Sequence, residues 1–325
     1  MNVDVTNPTD KVTLSSSYSN GVTTFTATNT TGATTYKWYV DGVKDTSATG
    51  NTFTFDRADH TKGVYTITVE CGGYSATTSL VAAIGTKLEP DAVLDIVFTD
   101  GSAIAYQSGL SLSDEQKAAA VAVIFYTGTE CSNDSRQRIL GLGLKNSDSD
   151  STPTYAWAKN DSTGYSTKFT NIAISKSTQK PTDGTVYYQY ISNYFTGDFE
   201  GSDNLSYICL QDPTGTADAE VVAENYPAFN YVNNYAVKAG LTGIYATGWY
   251  MPSLVESHHI YKKMTQLNII LGLLNNADIL PYEYYWSSSQ IASSDSSAWS
   301  FGFDSGDVHQ DNKSNNLRVC VIREF

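Results

Sequence analysis

Apolar and polar residues alternate from about residue 10 to residue 83, with no sustained helical spacing. The stretches "VTTFTATN", "TTYKWYVDG", "NTFTFDR", "GVYTITVEC" and "YSATTSLVA" place large or β-branched side chains at every second position and are separated by Gly, Asn, Asp and Ser. Side chains two apart on a strand share a face, so Tyr36, Trp38 and Val40 point one way while Lys37 and Tyr39 point the other. Short half-apolar strands need a second sheet to close against, which predicts an all-β sandwich over residues 1–84. Asp41 and Gly42 form a "DG" pair of the kind that turns a tight hairpin.

The texture changes at "AAIGTKLEPDA", which sets a boundary between Ala83 and Leu88 and begins a second domain of mixed strands and helices. Strand "AVLDIVFTDG" comes first. Ser113 with Gln116 three residues later has the spacing of a capping box and opens a helix over "SDEQKAAA", which runs into the apolar strand "VAVIFY". Residues 127–220 are rich in Gly, Ser, Thr and Asp and predict loops and short strands, with "RILGLGL" and "TYAWA" as isolated apolar stretches. A helix over "YPAFNYVNNYAVKAG" is expected to stop at Gly240. Ser253 and Glu256 repeat the capping-box spacing before Val255, Ile260, Met264, Leu267, Ile270, Leu271 and Leu274, which recur at helical intervals. Near the C-terminus Trp299, Phe301 and Phe303 alternate with Ser300, Gly302 and Asp304, predicting a strand with one anchored face and one free face.

Composition narrows the class. The 325 residues suffice for two cores, and with only 17% charged residues the surface must be largely Ser, Thr, Asn and Tyr, as in β-rich extracellular modules. A net charge of −14 without any Lys/Arg run disfavours nucleic acid as a partner. No apolar stretch approaches the roughly 18–20 residues of a membrane span. "MNVDVTNPTD" has neither a basic nor an apolar leader region, so the chain as written is expected to be soluble; the same start also fits the mature part of a cell-surface or extracellular protein whose export signal, and any lipid anchor, belong to a longer form.

Candidate chemistry is sparse. Cys71, Cys131, Cys209 and Cys320 are far apart and predict neither a disulfide framework nor a metal knuckle. His258 and His259 are adjacent, about 100° apart on a helix, and so cannot share one metal as an i, i+4 pair can. His60, His258, His259 and His309 lie in no nucleophile-elbow motif, and His309 is expected to be a polar surface residue. "GLGL" at Gly141 and Gly143 lacks the third glycine and the helix of a dinucleotide loop. The acidic stretches around Asp148 and Asp150, and Asp304, Asp307 and Asp311, lack the Gly and terminal Glu of a calcium loop; solvated turns are the better expectation, with no metal and no cofactor. "EPD" at Glu89 to Asp91 lies in the linker without the partner motif of a sugar-binding lectin.

Two family resemblances sharpen this picture. The order of Trp38, the Asp41–Gly42 turn and the late strand "KGVYTITV" carrying Tyr65 resembles bacterial immunoglobulin-like domains, which implies a spacer with Tyr65 at a tyrosine corner. The paired sheet-bridging cysteines are absent, so only the sandwich carries over. In the second domain "AVAVIFY", "RILGLGL", "PAFNYVNNYA", "GWYMPSLVE" and "YWSSSQ...AWSFGF...G...K...RVCVIREF" occur in that order. Together they resemble the variable proteins of diversity-generating retroelements, especially bacterial surface lipoproteins whose C-terminal domain has a C-type lectin fold of the formylglycine-generating-enzyme type. The resemblance covers about residues 88–325 and implies an α+β domain there, with the variable region at about 285–325.

That resemblance implies a non-enzymatic binding protein whose ligand is a protein or another macromolecular surface. Adenine replacement during copying turns Asn codons into Ser, Asp, Gly, His and others. Fourteen of the twenty-six residues from Ile291 to Asn316 are Ser, Asp or Asn, although an ordinary polar loop has the same bias. By position the variable, ligand-facing set is Ile291, Ser294, Asp295, Ser297, Ser300, Gly302, Asp304, Ser305, Asp307, His309, Gln310, Asp311, Asn312, Ser314, Asn315 and Asn316. Trp286, Ser287, Ser288, Trp299, Phe303, Gly306, Lys313 and Arg318 are the fixed scaffold, with Trp249 packed beside them. The surface lacks Tyr and Trp anchors, which predicts weak or narrow binding, and acidic side chains sharing one face would favour a basic partner. Two alternatives stand beside this reading: a calcium-dependent carbohydrate-binding lectin, by analogy of fold, and a formylglycine-generating oxidase, for which Cys320 has no partner thiol near it in sequence.

Overall fold

The computed structural model describes residues 11–19, 21–147, 153–176 and 195–325; the acidic stretch at Asp148 and Asp150 lies outside them. The chain divides into two compact units. The first runs to Glu89 and also takes Asp100–Ala103; the second comprises Pro90–Thr99 and Ile104–Phe325. A single cut between Ala83 and Leu88 does not anticipate this return of the chain to the first unit. Strand is the main regular structure throughout, in several sheets.

The first unit contains β1 (Val12–Ser19), β2 (Val22–Asn29), β3 (Tyr36–Val40), β4 (Val43–Lys44), β5 (Thr52–Asp56), β6 (Gly63–Cys71) and β7 (Tyr74–Ala82). They form a three-stranded sheet, β1-β2-β5, and a four-stranded sheet, β4-β3-β6-β7. Alternate residues of both sheets meet in one core around Phe25, Trp38, Phe53, Phe55, Ile67 and Val69. Trp38 stacks on Phe53 at 5.5 Å, and its indole N–H donates to the Gly50 carbonyl at 3.0 Å, so the large buried ring leaves no orphan donor. Asp41 (φ 48°) and Gly42 (φ 76°) supply the two positive-φ residues that a two-residue hairpin between β3 and β4 requires.

The second unit has two main sheets. One orders β15 (Trp249–Tyr250), β20 (Ile322–Glu324), β11 (Arg138–Gly143), β10 (Ala120–Gly128), β8 (Asp95–Phe98) and β9 (Ala103–Ala105). The other orders β14 (Phe195–Gly197), β13 (Ala173–Lys176), β16 (Tyr284–Ile291), β17 (Ser297–Gly302) and β18 (Val308–Asn312). A short ladder joins β12 (Tyr155–Ala156) to β19 (Asn316–Leu317). Among the described residues the α-helices are α1 (Asp114–Ala119), α2 (Thr163–Ser166), α3 (Asn204–Gln211), α4 (Ala219–Asn225), α5 (Pro227–Asn233), α6 (Tyr235–Lys238) and α7 (Leu254–Leu271). None is long and apolar enough to cross a membrane.

Both capping boxes form: Ser113 and Ser253 accept from the backbone N–H of Gln116 and Glu256, whose side chains reach back to the cap. Every apolar residue expected on the long helix is buried, with Leu274 just beyond its end. The expected single helix over "YPAFNYVNNYAVKAG" is two, α5 and α6, broken at Asn234. It ends as expected at Gly240, where the Leu241 N–H donates to the Ala236 carbonyl at 2.7 Å. Within residues 127–220, read as loops and strands, α3 is an unexpected helix. Its N-cap Asp203 makes no side-chain capping bond, so the usual start signal is missing.

A buried polar knot ties the first of these sheets to α7. Arg138, fully buried at the start of β11, donates to Glu256 Oε1 at 2.8 Å, to the Tyr250 hydroxyl at 2.8 Å and to the Cys131 carbonyl at 2.6 Å. The other Glu256 oxygen accepts from the backbone N–H groups of Ser253 (2.7 Å) and Gly201 (3.1 Å). Burial pushes the Glu256 carboxyl up to about 7, opposed by the Arg138 charge and these donors. The capping glutamate of α7 is therefore also the counter-ion of a strand arginine more than a hundred residues away.

Candidate functional site

The motif "YWSSSQ" on β16 is polar in sequence yet buried throughout. Each side chain has a task. Ser287 Oγ donates to the Trp299 carbonyl at 2.8 Å, Ser288 Oγ accepts from Asn204 at 2.8 Å, and Ser289 Oγ accepts from the Leu254 N–H at 3.0 Å, at the first residue of α7. Gln290 accepts from the Phe169 N–H at 2.9 Å and donates to the Ser294 carbonyl at 2.8 Å, fixing the turn that follows β16. Small hydroxyls and one amide thus pin separate segments to one strand.

Aromatic rings hold the same strands. The indole N–H groups of Trp286, Trp299 and Trp157 donate to the carbonyls of Tyr155 (2.7 Å), Ile174 (3.0 Å) and Ser287 (3.1 Å). Phe303 stacks on Tyr285 at 4.5 Å, and Phe301 lies 5.5 Å from the Tyr261 ring of α7. Gly306 (φ 78°) closes the turn between β17 and β18, and a Cβ there would come within 2.7 Å of Tyr261. Lys313 is buried: its ammonium donates to the carbonyls of Gly164 (2.8 Å) and Thr167 (2.9 Å) and sits 4.7 Å from the Trp157 ring centroid. Burial pulls its pKa down to about 7, partly opposed by Asp295.

Of the sixteen residues expected to face a ligand, thirteen are exposed or half-buried and three are not. Ile291, Ser300 and Gly302 are buried. The rings of Trp299, Phe301 and Phe303 are interred as expected, but the opposite face of β17 is not free. It is covered by side chains that reach over it from the flanking strands β16 and β18. Ser300 donates to Asp311 Oδ2 at 2.5 Å, and the Tyr284 ring blocks the space above Gly302. His309, expected at the surface, is half-buried against Tyr284, ring centroids 4.8 Å apart, and its Nε2 is shut off from solvent without a partner.

Nor do the exposed residues form one platform. The meander from β16 to β18 sends Ser294, Asp295, Ser297, Asn312, Ser314, Asn315 and Asn316 to one end of the sheet and Asp304, Ser305 and Asp307 to the other. Asn312 lies five residue steps from Asp307, about 17 Å at strand rise. His309, Gln310 and Asp311 lie between, on the edge strand β18. Asp295 and Asp304 therefore lie at opposite ends of the sheet.

Beside the first of these ends is a groove that the sequence did not single out, lined by Tyr155, Lys159, Asn160 and Pro227 together with Ser314 and Asn316. Its signal was weak: Tyr155 lies in the isolated stretch "TYAWA", and only the β12–β19 ladder brings it to Asn316. Among the described residues no three His, Cys, Asp or Glu side chains gather as a metal site. The four cysteines are free thiols, and burial pushes Cys320 up to about 12.

No protein-family model matches this sequence, and no curated protein does. Among solved structures, the chain is similar to the crystal structure of a fimbrial protein from Bacteroides ovatus, at 13% identity and a TM-score of 0.48, covering 89% of this chain. The match spans 64% of that protein's length.

Proposed function

We propose that this chain is a non-enzymatic, cell-surface ligand-binding protein of the receptor or adhesin kind. Its second domain would be a C-type lectin fold of the formylglycine-generating-enzyme type, displaying residues diversified by a retroelement at the surface turns and on β18. One observation carries this reading. The backbone of β16–β18 is fixed by buried indoles, Ser/Gln hydrogen bonds and Lys313, while thirteen of the sixteen family-implied variable residues reach the surface. Replacing most of them leaves the core packing untouched, as a binding surface on a rigid scaffold requires. Ile291, Ser300 and Gly302 are buried and stand outside the proposed contact surface.

The first domain is proposed as an immunoglobulin-like spacer. Its three- and four-stranded sheets support this, as does Tyr65, whose hydroxyl donates to the Thr61 carbonyl at 3.0 Å in the manner of a tyrosine corner. A thiol as buried as Cys320 is a poor nucleophile, which supports a role without thiol chemistry. The test is genomic: a reverse transcriptase gene beside this one, with an imperfect copy of the codons for residues 285–325 differing at adenines, is the expected finding. Its absence removes the diversification. Heat released on titrating Ca²⁺ would favour a calcium-dependent lectin instead.

A further inference from the structure

We infer that β18 is a docking edge for an extended, basic polypeptide segment, which would add to the sheet as a sixth strand. The inference rests on the display reading above in taking this end of the domain as ligand-facing; its geometry is independent of that reading.

Hydrogen bonding along the β17–β18 ladder fixes which backbone groups are free. The Gly302 N–H donates to the Asp307 carbonyl at 2.8 Å, and the Lys313 N–H donates to the Ser296 carbonyl at 2.9 Å. In an antiparallel pair bonded and non-bonded positions alternate, so Asp307, His309, Asp311 and Lys313 direct their backbone groups toward β17. Val308, Gln310 and Asn312 direct theirs outward. The Asn312 carbonyl is taken by the Asn315 N–H at 2.8 Å, and no backbone hydrogen bond reaches Val308 or Gln310 from the described residues on the open side. Gln310 is exposed, and the β17–β18 register runs without a bulge.

Edge strands are protected by charges, proline, bulges or shortness; "VHQDN" has no lysine, proline or bulge, and its one charge, Asp311, is held by Ser300. Its surroundings are acidic. Asp304 and Asp307 stand at one end, Asp311 along the strand and Asp295 at the far end; the nearby Lys313 is buried against Trp157, and Lys159 lies past the strand end in the groove with Ser314 and Asn316. This charge pattern selects the occupant. A second copy of the same edge would set these carboxylates against one another, whereas a strand with cations at alternate positions would meet them along its length. Backbone pairing supplies affinity without aromatic anchors, which this surface lacks.

The experiment uses the full chain and a capped peptide of alternating lysine and valine, about six residues long. Gln310→Pro removes the outward N–H but no bond to β17, so the variant folds with an unchanged far-UV spectrum and melting temperature. Expected are saturable binding to the unsubstituted protein and a loss of about tenfold or more with Gln310→Pro, with backbone N-methylated peptide, and with glutamate in place of lysine. Binding also weakens as salt rises from about 0.05 to 0.5 M. Equal affinity for Gln310→Pro and for the N-methylated peptide would mean simple charge capture and would overturn strand addition, as would no binding at all. Where a selected ligand is lost on changing Ser305, Asn315 or Asn316 yet retained by Gln310→Pro, the display surface stands and the edge proposal falls.

Discussion

Strands β17 and β18 lie side by side, and both carry Ser, Asp, Asn, Gly or His, yet they have opposite fates. Every residue of β17 after Ser297 is buried, whereas no residue of β18 is. Position in the sheet explains the difference. β17 has a neighbour on each side and a cover over each face; β18 has one neighbour. A polar side chain survives on β17 only where it is small and bonded, as Ser300 is to Asp311. On β18 the exposed Gln310 is met by water, while Asp311 and Asn312 keep protein partners as well. Polarity in a sequence therefore marks a ligand-facing surface only once edge and centre have been told apart.

Substitutions can break this contrast. Trp299→Ala on the central strand removes a buried ring and its bond to Ile174, and is expected to cost about 3–5 kcal/mol in chemical denaturation. A loss under about 1 kcal/mol would show that β17 is not an anchor. The next effect is pH-linked. Because Lys313 titrates near 7 when folded against 10.5 ordinarily, the unfolded chain holds the extra proton between those values, and stability rises as pH goes from 7 toward 10. Below pH 7 the unfavourable burial of the charge is fully present. Melting curves across this range should show the rise and its flattening in Lys313→Met.

Smaller changes sharpen the contrast. Ser300→Ala leaves Asp311 without its buried donor and is expected to cost about 1 kcal/mol. Ser305→Ala and Gln310→Ala, at the turn and on the edge, should each stay within about 0.5 kcal/mol. If Ser300→Ala proved as neutral as Ser305→Ala, the distinction between the two strands would be one of exposure without energetic weight.

Much of the local structure was legible in the sequence. Strands β2, β6 and β7 coincide with "VTTFTATN", "GVYTITVEC" and "YSATTSLVA", and Ser113–Gln116 and Ser253–Glu256 announce their helices. These signals act over a few residues. The buried run Ser287–Gln290 was not legible, because its partners Asn204, Leu254, Phe169 and Trp299 come from four separate segments. The same holds for Arg138 and Glu256, each noticed within a motif but not as a pair. A period of two predicted which β17 side chains would oppose the rings; it could not say that Tyr284 and Asp311 would roof them.

The alternation that leaves Val308 and Gln310 outward-bonded has a further consequence. Adding or deleting one residue between Phe303 and Gly306 would rotate all of β18 by half a turn, sending His309 and Asp311 where Gln310 now stands and unpairing Ser300. Asp304 and Ser305, both exposed, can be exchanged without disturbing the core, but the length of their turn is set by the register it feeds.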